Sequence, residues 1–175
     1  MSDSPVLAAI FCPEGQSADA VVAAVAAELR AGGLRPVGHV QRVAPGGARE
    51  VTLVEDVATG QRQPITQDLG ACASGCALDP AALAEVAGAL QAALEAGADL
   101  LIVNRFGRSE SEGRGLRGVI EAAVLAGVPV LAMVRQDYAP AWADFTGGAA
   151  ATLPADKGAI LAWAGAAIAA ARSPA

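Results

Sequence analysis

Apolar and polar positions fall in blocks along this chain, and the period of each block switches between that of a buried strand and that of a helix. Val6–Cys12 (VLAAIFC) is a short apolar run that ends at Pro13-Glu14-Gly15-Gln16-Ser17, after which Ala18–Ala31 sets Val21, Val22, Val25 and Leu29 on one helical face. This predicts strand, tight loop, helix, closed by Gly32-Gly33, with Arg35–Val43 as a second strand. Val51–Val57 and Gln61–Gln67, separated by Ala58-Thr59-Gly60, predict a polar-faced β-hairpin spanning about residues 50–68, and Pro64 suits an edge strand. Asp79-Pro80 supplies an N-cap and a first-position proline, and Leu83, Val86, Leu90 and Leu94 then repeat at helical spacing up to Gly97. Asp99–Val103 and Val128–Val134 predict buried strands, Asn104–Arg114 a polar loop and Gly115–Ala126 a helix. A helix at Tyr138–Phe145, a strand at Ala149–Leu153 and a helix at Asp156–Ala171 complete the pattern. Strands alternating with helices predict an α/β fold, a three-layer sandwich whose mainly parallel sheet carries a β-hairpin insertion.

Composition narrows the class. At 175 residues, 54% hydrophobic and 17% charged, the chain suits one α/β domain over residues 1–175 and excludes a disordered polyelectrolyte. Aromatic residues make up only 3%, so Leu, Val, Ile and Ala must build the core between closely approaching elements. No apolar run reaches the ~20 residues of a membrane span and Met1–Val6 lacks the features of a signal peptide, so no membrane insertion is expected. An odd set of 3 cysteines fits a reducing compartment, and the expected location is cytoplasmic. The net charge of −6 argues against a nucleic-acid partner, which requires a basic face.

Two segments carry candidate chemistry. The first is the Cys12–Asp19 loop at the carboxyl end of the first strand, where open parallel sheets bind ligands. Against G-x-x-x-x-G-K-[ST], Ile10–Ser17 matches at Gly15 and Ser17 but has Ile10 for the first glycine and Gln16 for the lysine. Gln16 donates hydrogen bonds without positive charge, and Glu14 and Asp19 add negative charge. A phosphate-type anion site and a plain β–α turn with Ser17 capping the helix are both open readings.

The second segment is Asn104–Arg117 (NRFGRSESEGRGLR), which gathers Arg105, Arg108, Arg114 and Arg117 with Glu110 and Glu112 among glycines. Arginine forks there can grip an oxyanion in bidentate fashion, and Glu110 or Glu112 can orient a water or ligate a metal. The competing reading is a self-paired, solvated charge loop or a subunit interface. Cys72 and Cys76 are four apart, unlike common zinc knuckles, and with Cys12 and His39 the sole other soft ligands no metal site is assigned. One histidine and no G-x-S-x-G give no motive for a nucleophile triad. Trp142 and Trp163 are expected to pack helices on the sheet, with Trp142 also placed to line a pocket mouth.

Asp99–Arg117 (DLLIVNRFGRSESEGRGLR), Ile65–Gly70 (ITQDLG), Cys76–Pro80 (CALDP) and Gly127–Val130 (GVPV) together resemble a bacterial family known as a domain of unknown function, whose members are associated with molybdate ABC transporters. The likeness spans nearly the whole chain. More distantly, Leu34–Gly60 and the DLLIVNRFGRSE segment look like the small P-loop nucleoside triphosphatases and the molybdopterin-guanine-dinucleotide accessory proteins. The resemblance implies a strand ending in a magnesium-ordering acid where Asn104 stands here, with Gly107 and Glu110 at the later glycine and glutamate. Lysine and acid are thus both replaced by amides, Gln16 and Asn104.

The function expected is binding of a phosphate-bearing nucleotide or a tetrahedral oxyanion such as molybdate, with little or no hydrolysis, in molybdenum or cofactor handling. Gly15, Gln16, Ser17, Asn104, Arg105, Arg108 and Arg114 are the expected ligand-binding residues. Which ligand is held, a nucleotide with Mg²⁺ or molybdate, stays open at this point. A slow nucleoside triphosphatase, with Glu110 or Glu112 catalytic and Mg²⁺ on Ser17 and Asp19, is the enzymatic alternative; an adaptor docking a molybdenum-pathway protein is the third. A homodimer through Ala-rich helix faces is compatible with each.

Overall fold

A computed structural model describes residues 6–45, 50–67 and 78–173. The Cys72/Cys76 segment lies outside the described residues. The strands are β1 (Leu7–Cys12), β2 (Pro36–Ala44), β3 (Val51–Asp56), β4 (Arg62–Pro64), β5 (Leu100–Phe106), β6 (Val130–Arg135) and β7 (Ala151–Thr152). The helices are α1 (Asp19–Ala31), α2 (Pro80–Glu95), α3 (Arg108–Ser111), α4 (Arg117–Leu125), α5 (Ala139–Thr146) and α6 (Lys157–Arg172). One sheet runs in the order β4-β3-β2-β5-β6-β1-β7. From β2 to β7 every pairing is parallel, whereas β3 and β4 add to β2 as an antiparallel hairpin. β4 ends the sheet at Pro64, where the missing N–H costs no ladder bond.

The central parallel strands β1, β5 and β6 are apolar on both sides because helices cover both. Ala8, Ile10, Leu100, Ile102, Leu131 and Met133 pack with Val22, Val25 and Leu29 of α1 and with Ile160, Trp163 and Ile168 of α6. The alternate residues Ala9, Leu101, Val103, Val130, Ala132 and Val134 pack with α2, α4 and α5 through Val86, Leu90, Ile120 and Trp142. This two-sided burial is why β1, β5 and β6 read as continuous apolar runs. Gly38 in β2 permits the approach to β5: at φ +136° a Cβ would overlap the Ile102 carbonyl oxygen.

The capping chemistry of α2 follows the sequence. Asp79 accepts hydrogen bonds from the N–H groups of Ala81 (2.9 Å) and Ala82 (3.3 Å), and Pro80 occupies the first turn. Asp156 caps α6 by accepting from Ala159 N–H at 2.8 Å. On the hairpin, Glu55 takes Arg42 at 3.0 Å and Arg62 at 2.6 Å, pinning three adjacent strands on one face.

Asn104–Arg114 is not one loop. β5 continues through Phe106, which is fully buried, and α3 follows at once. The extension includes a bulge: Val103 pairs with Ala132 and Phe106 with Val134, so β5 spends one more residue than β6 between the two pairs. Phe106 therefore joins the face of Leu101 and Val103 despite the broken alternation. It packs edge-on to Trp142 at 5.1 Å and stacks with Phe145 at 5.8 Å. Trp142, 2% exposed, is thus a core residue.

Candidate anion-binding cleft

The β5 bulge decides which side chains reach the carboxyl edge of the sheet. Successive strand residues normally face opposite ways, but the extra residue lets Asn104 and Arg105 both line one small cavity together with Cys12, Gln16, Ser17, Asp19, Met133 and Arg135. That cavity, of about 20 Å³, has room for one water-sized group. It shares Gln16, Ser17, Arg105 and Arg135 with a cleft of about 330 Å³ that is also lined by Pro13, Glu14 and Gly15. The cleft sits where β1, β5 and β6 deliver their ends, the expected ligand edge of a parallel sheet.

Its loop is held largely by its own bonds. Gln16 N–H donates to Pro13 O at 3.0 Å, and Asp19 N–H to Ser17 Oγ at 3.0 Å. The Ser17 hydroxyl donates in turn to Asp19 Oδ2, while Asp19 Oδ1 accepts from Gln41 N–H at 2.5 Å, anchoring the loop to β2. Ala18, not Ser17, is the N-cap of α1. Burial pushes the Cys12 thiol up; the Ala18 amide opposes this, Asp19 adds to it, and Arg105 opposes it.

Two guanidiniums define the electrostatics. Arg105 is exposed and makes no ion pair among the described residues. Arg135, at the end of β6, pairs with Asp137 at 2.8 Å and lies 5.5 Å from the centre of the Tyr138 ring, which props it beside the cleft. Sequence reasoning missed Arg135. The usable signal was its place immediately after the apolar run Val128–Val134.

Of the residues expected from sequence, Gly15, Gln16, Ser17, Asn104 and Arg105 come together here, while Arg108 and Arg114 are absent from both linings. Arg108 pairs with Glu112 at 2.9 Å, and Arg114 pairs with the same carboxylate. The bonds from Arg108 and then Arg114 hold the Glu112 carboxyl below its ordinary range. Glu110 is 8% exposed and turns inward: Oε2 accepts from Gly107 N–H and Oε1 from Leu116 N–H, each at 3.0 Å. It organises the α3 turn, and Gly115, at φ +62°, leaves the space its carboxylate fills. Arg117 pairs with Glu121 and lies over Phe145 at 4.6 Å.

Magnesium finds a poor donor set in this cleft. Asp19 is committed through both oxygens, Ser17 is committed to Asp19, and Asn104 is neutral. Among the described residues, no three His, Cys, Asp or Glu side chains gather where they could hold a metal ion. The residues present do not fit Mg²⁺.

A family model described as "Protein of unknown function (DUF2478)" matches residues 7–163. The chain belongs to this family. It is 37% identical over 159 residues to the "Molybdenum import ATP-binding protein ModC 2" of Bradyrhizobium diazoefficiens, a match covering 90% of this chain. The chain spans 18% of that relative's length. Among solved structures, this DUF2478 chain is similar to a human cancer-related nucleoside triphosphatase, with a TM-score of 0.63 at 13% identity over 97% of this chain and 98% of that one. It is also similar to THEP1 from Aquifex aeolicus, with a TM-score of 0.57 at 10% identity over 85% and 89% of the two chains. The helix-flanked, mainly parallel sheet thus shares the fold of these two structures. Among the described residues no helix is long and apolar enough to cross a membrane.

Proposed function

We propose that this domain binds a phosphate-bearing nucleotide or a tetrahedral oxyanion such as molybdate in the cleft between the Pro13–Ser17 loop and the Arg105–Arg135 pair, with little or no hydrolysis. The observation that carries the reading is the meeting of two guanidiniums from adjacent parallel strands in one open cleft, with Arg105 unpaired among the described residues. An oxyanion there accepts forked hydrogen bonds from both arginines, and Gln16 and Asn104 add uncharged donors. Arg108 and Arg114 would have to leave Glu112 to join it.

The placement of the acids supports low hydrolysis. Glu110 spends both oxygens on backbone amides and Glu112 is neutralised by two arginines, so neither is poised to accept a proton from an attacking water. The ATP-binding relative and the nucleoside triphosphatase fold support a nucleotide as ligand; the molybdenum in that relative's name supports a role in molybdenum handling.

The test is thermal stability of the chain against ATP, GTP, molybdate, tungstate and phosphate, since a ligand at ~100 times its Kd stabilises by ~2.7 kcal/mol. A shift with at least one anion that disappears in Arg105→Ala is the expected result. No shift with any of them overturns the proposal.

A further inference from the structure

We infer that the cleft selects its anion free of divalent metal, so that Mg²⁺ competes with binding instead of assisting it. The inference rests on the anion-binding reading above and adds the ionic form of the ligand. It comes from the charge inventory of the cleft and from the bulge that creates it. A metal-chelated oxyanion is held by a site that offers the metal an anionic or hydroxyl oxygen beside the donors that grip the anion. Here the oxygens nearest that role are already spent: the Ser17 hydroxyl donates to Asp19, and the other Asp19 oxygen anchors the loop to Gln41 N–H. A cation on Asp19 would compete with the bonds that tie the β1–α1 loop to β2.

The strand end makes the same point with the opposite sign. Because β5 is bulged between Val103 and Phe106, its terminus turns both Asn104 and Arg105 into one cavity. An amide and a guanidinium therefore stand together at the cleft, and Arg135 adds a second guanidinium from the adjacent strand. Arg105, which has no ion pair among the described residues, repels a further cation, as does Arg135 to the extent that Asp137 at 2.8 Å leaves its charge uncompensated, and a chelated cation also removes the oxyanion charge that the arginine forks are shaped to receive. Glu14 is the remaining lining carboxylate, and it lies exposed on the loop at the outer cleft. The favoured ligand is an unchelated polyanion with tetrahedral oxyanion groups.

Calorimetric titration of the chain with ATP and with pyrophosphate, each in EDTA and in excess MgCl₂, tests this. Both ligands are expected to bind in EDTA and to bind about tenfold more weakly with Mg²⁺, the effect of losing one charge-assisted hydrogen bond. Asn104→Asp, which places an anionic oxygen at the bulge, is expected to bind less tightly in EDTA and to lose or reverse the Mg²⁺ penalty while keeping the wild-type melting temperature without ligand. Equal or tighter binding with Mg²⁺ in the wild type overturns the inference and leaves the anion site standing. An Asn104→Asp chain with the full wild-type penalty overturns the assignment to the strand end. No binding of either ligand in either buffer, together with no shift from the other anions, overturns this inference and the anion site together.

Discussion

Arg105 and Arg108 are three positions apart and carry the same side chain, yet they occupy opposite situations. Arg105 projects from a bulged strand end into a cleft, while Arg108 sits on the exposed one-turn helix α3 and is bound to Glu112 at 2.9 Å. Arg135 sits with Arg105 although it is thirty positions away in sequence; Arg114 sits with Arg108. Arginine density in a sequence therefore says little about available positive charge. Arg108 and Arg114 share one carboxylate away from the cleft and Arg135 keeps Asp137 beside it, whereas Arg105 has no ion pair among the described residues and receives a ligand without competing with one.

Three experiments bear on this contrast, beginning with the largest effect, and a fourth bears on a buried histidine. Glu110→Ala should destabilise the fold by about 3 kcal/mol, because two buried amides lose their acceptor. An unchanged denaturation midpoint would show that the inward-turned acid is not what organises the Arg108-bearing turn. Arg105→Ala should weaken binding of a stabilising anion by about 1.5 kcal/mol or more at unchanged stability, as loss of a charge-assisted bond predicts. Arg108→Ala and Arg114→Ala should each move stability and affinity by under ~0.5 kcal/mol, the usual worth of an exposed pair. If Arg108→Ala costs as much affinity as Arg105→Ala, the contrast between the two groups fails.

The remaining experiment comes from a buried group whose nitrogen is unpartnered. His39 on β2 is 7% exposed, and its Nδ1 has no hydrogen-bond partner. Burial pushes its pKa below the ordinary 6.5, only partly opposed by Asp56, which lies opposite it in the β2–β3 register. The unfolded chain then binds more protons than the folded one below about pH 6.5, so stability is full above that pH and falls as the pH drops toward the folded pKa. Urea midpoints should be lower at pH 5.5 than at pH 7.5, and His39→Gln should flatten the difference. Asp99 acts in a separate, more acidic window. Burial alone would raise its pKa, but the Arg35 amide and the Arg172 guanidinium outweigh that and hold it below the ordinary 3.8, so its contribution is lost only as the pH falls below that value.

Much of the fold was legible because its signals are local. The apolar runs of β1, β5 and β6, the Asp79-Pro80 cap and the edge proline Pro64 each depend on the few residues around them, and each stands where the pattern puts it. The candidate site was only half legible. Gly15, Gln16 and Ser17 were visible from their place after β1, and Asn104 and Arg105 from theirs after the apolar core of β5. Phe106 looked like part of a polar loop since its neighbours are polar, and only its burial against Trp142 and Phe145 pulls β5 onward.

By itself, then, the sequence determined the alternation of strands and helices, the two-sided burial of the sheet and the uncharged amides at Gln16 and Asn104. Those properties are written in periodicity and residue type. Tertiary structure alone decided that Arg135 joins Arg105, that Glu112 satisfies Arg108 and Arg114, and that Glu110 turns inward to backbone amides. Each of these depends on which strand ends lie side by side and on one extra residue in one ladder, and strand register is fixed by packing across the sheet, not by the composition of any single segment.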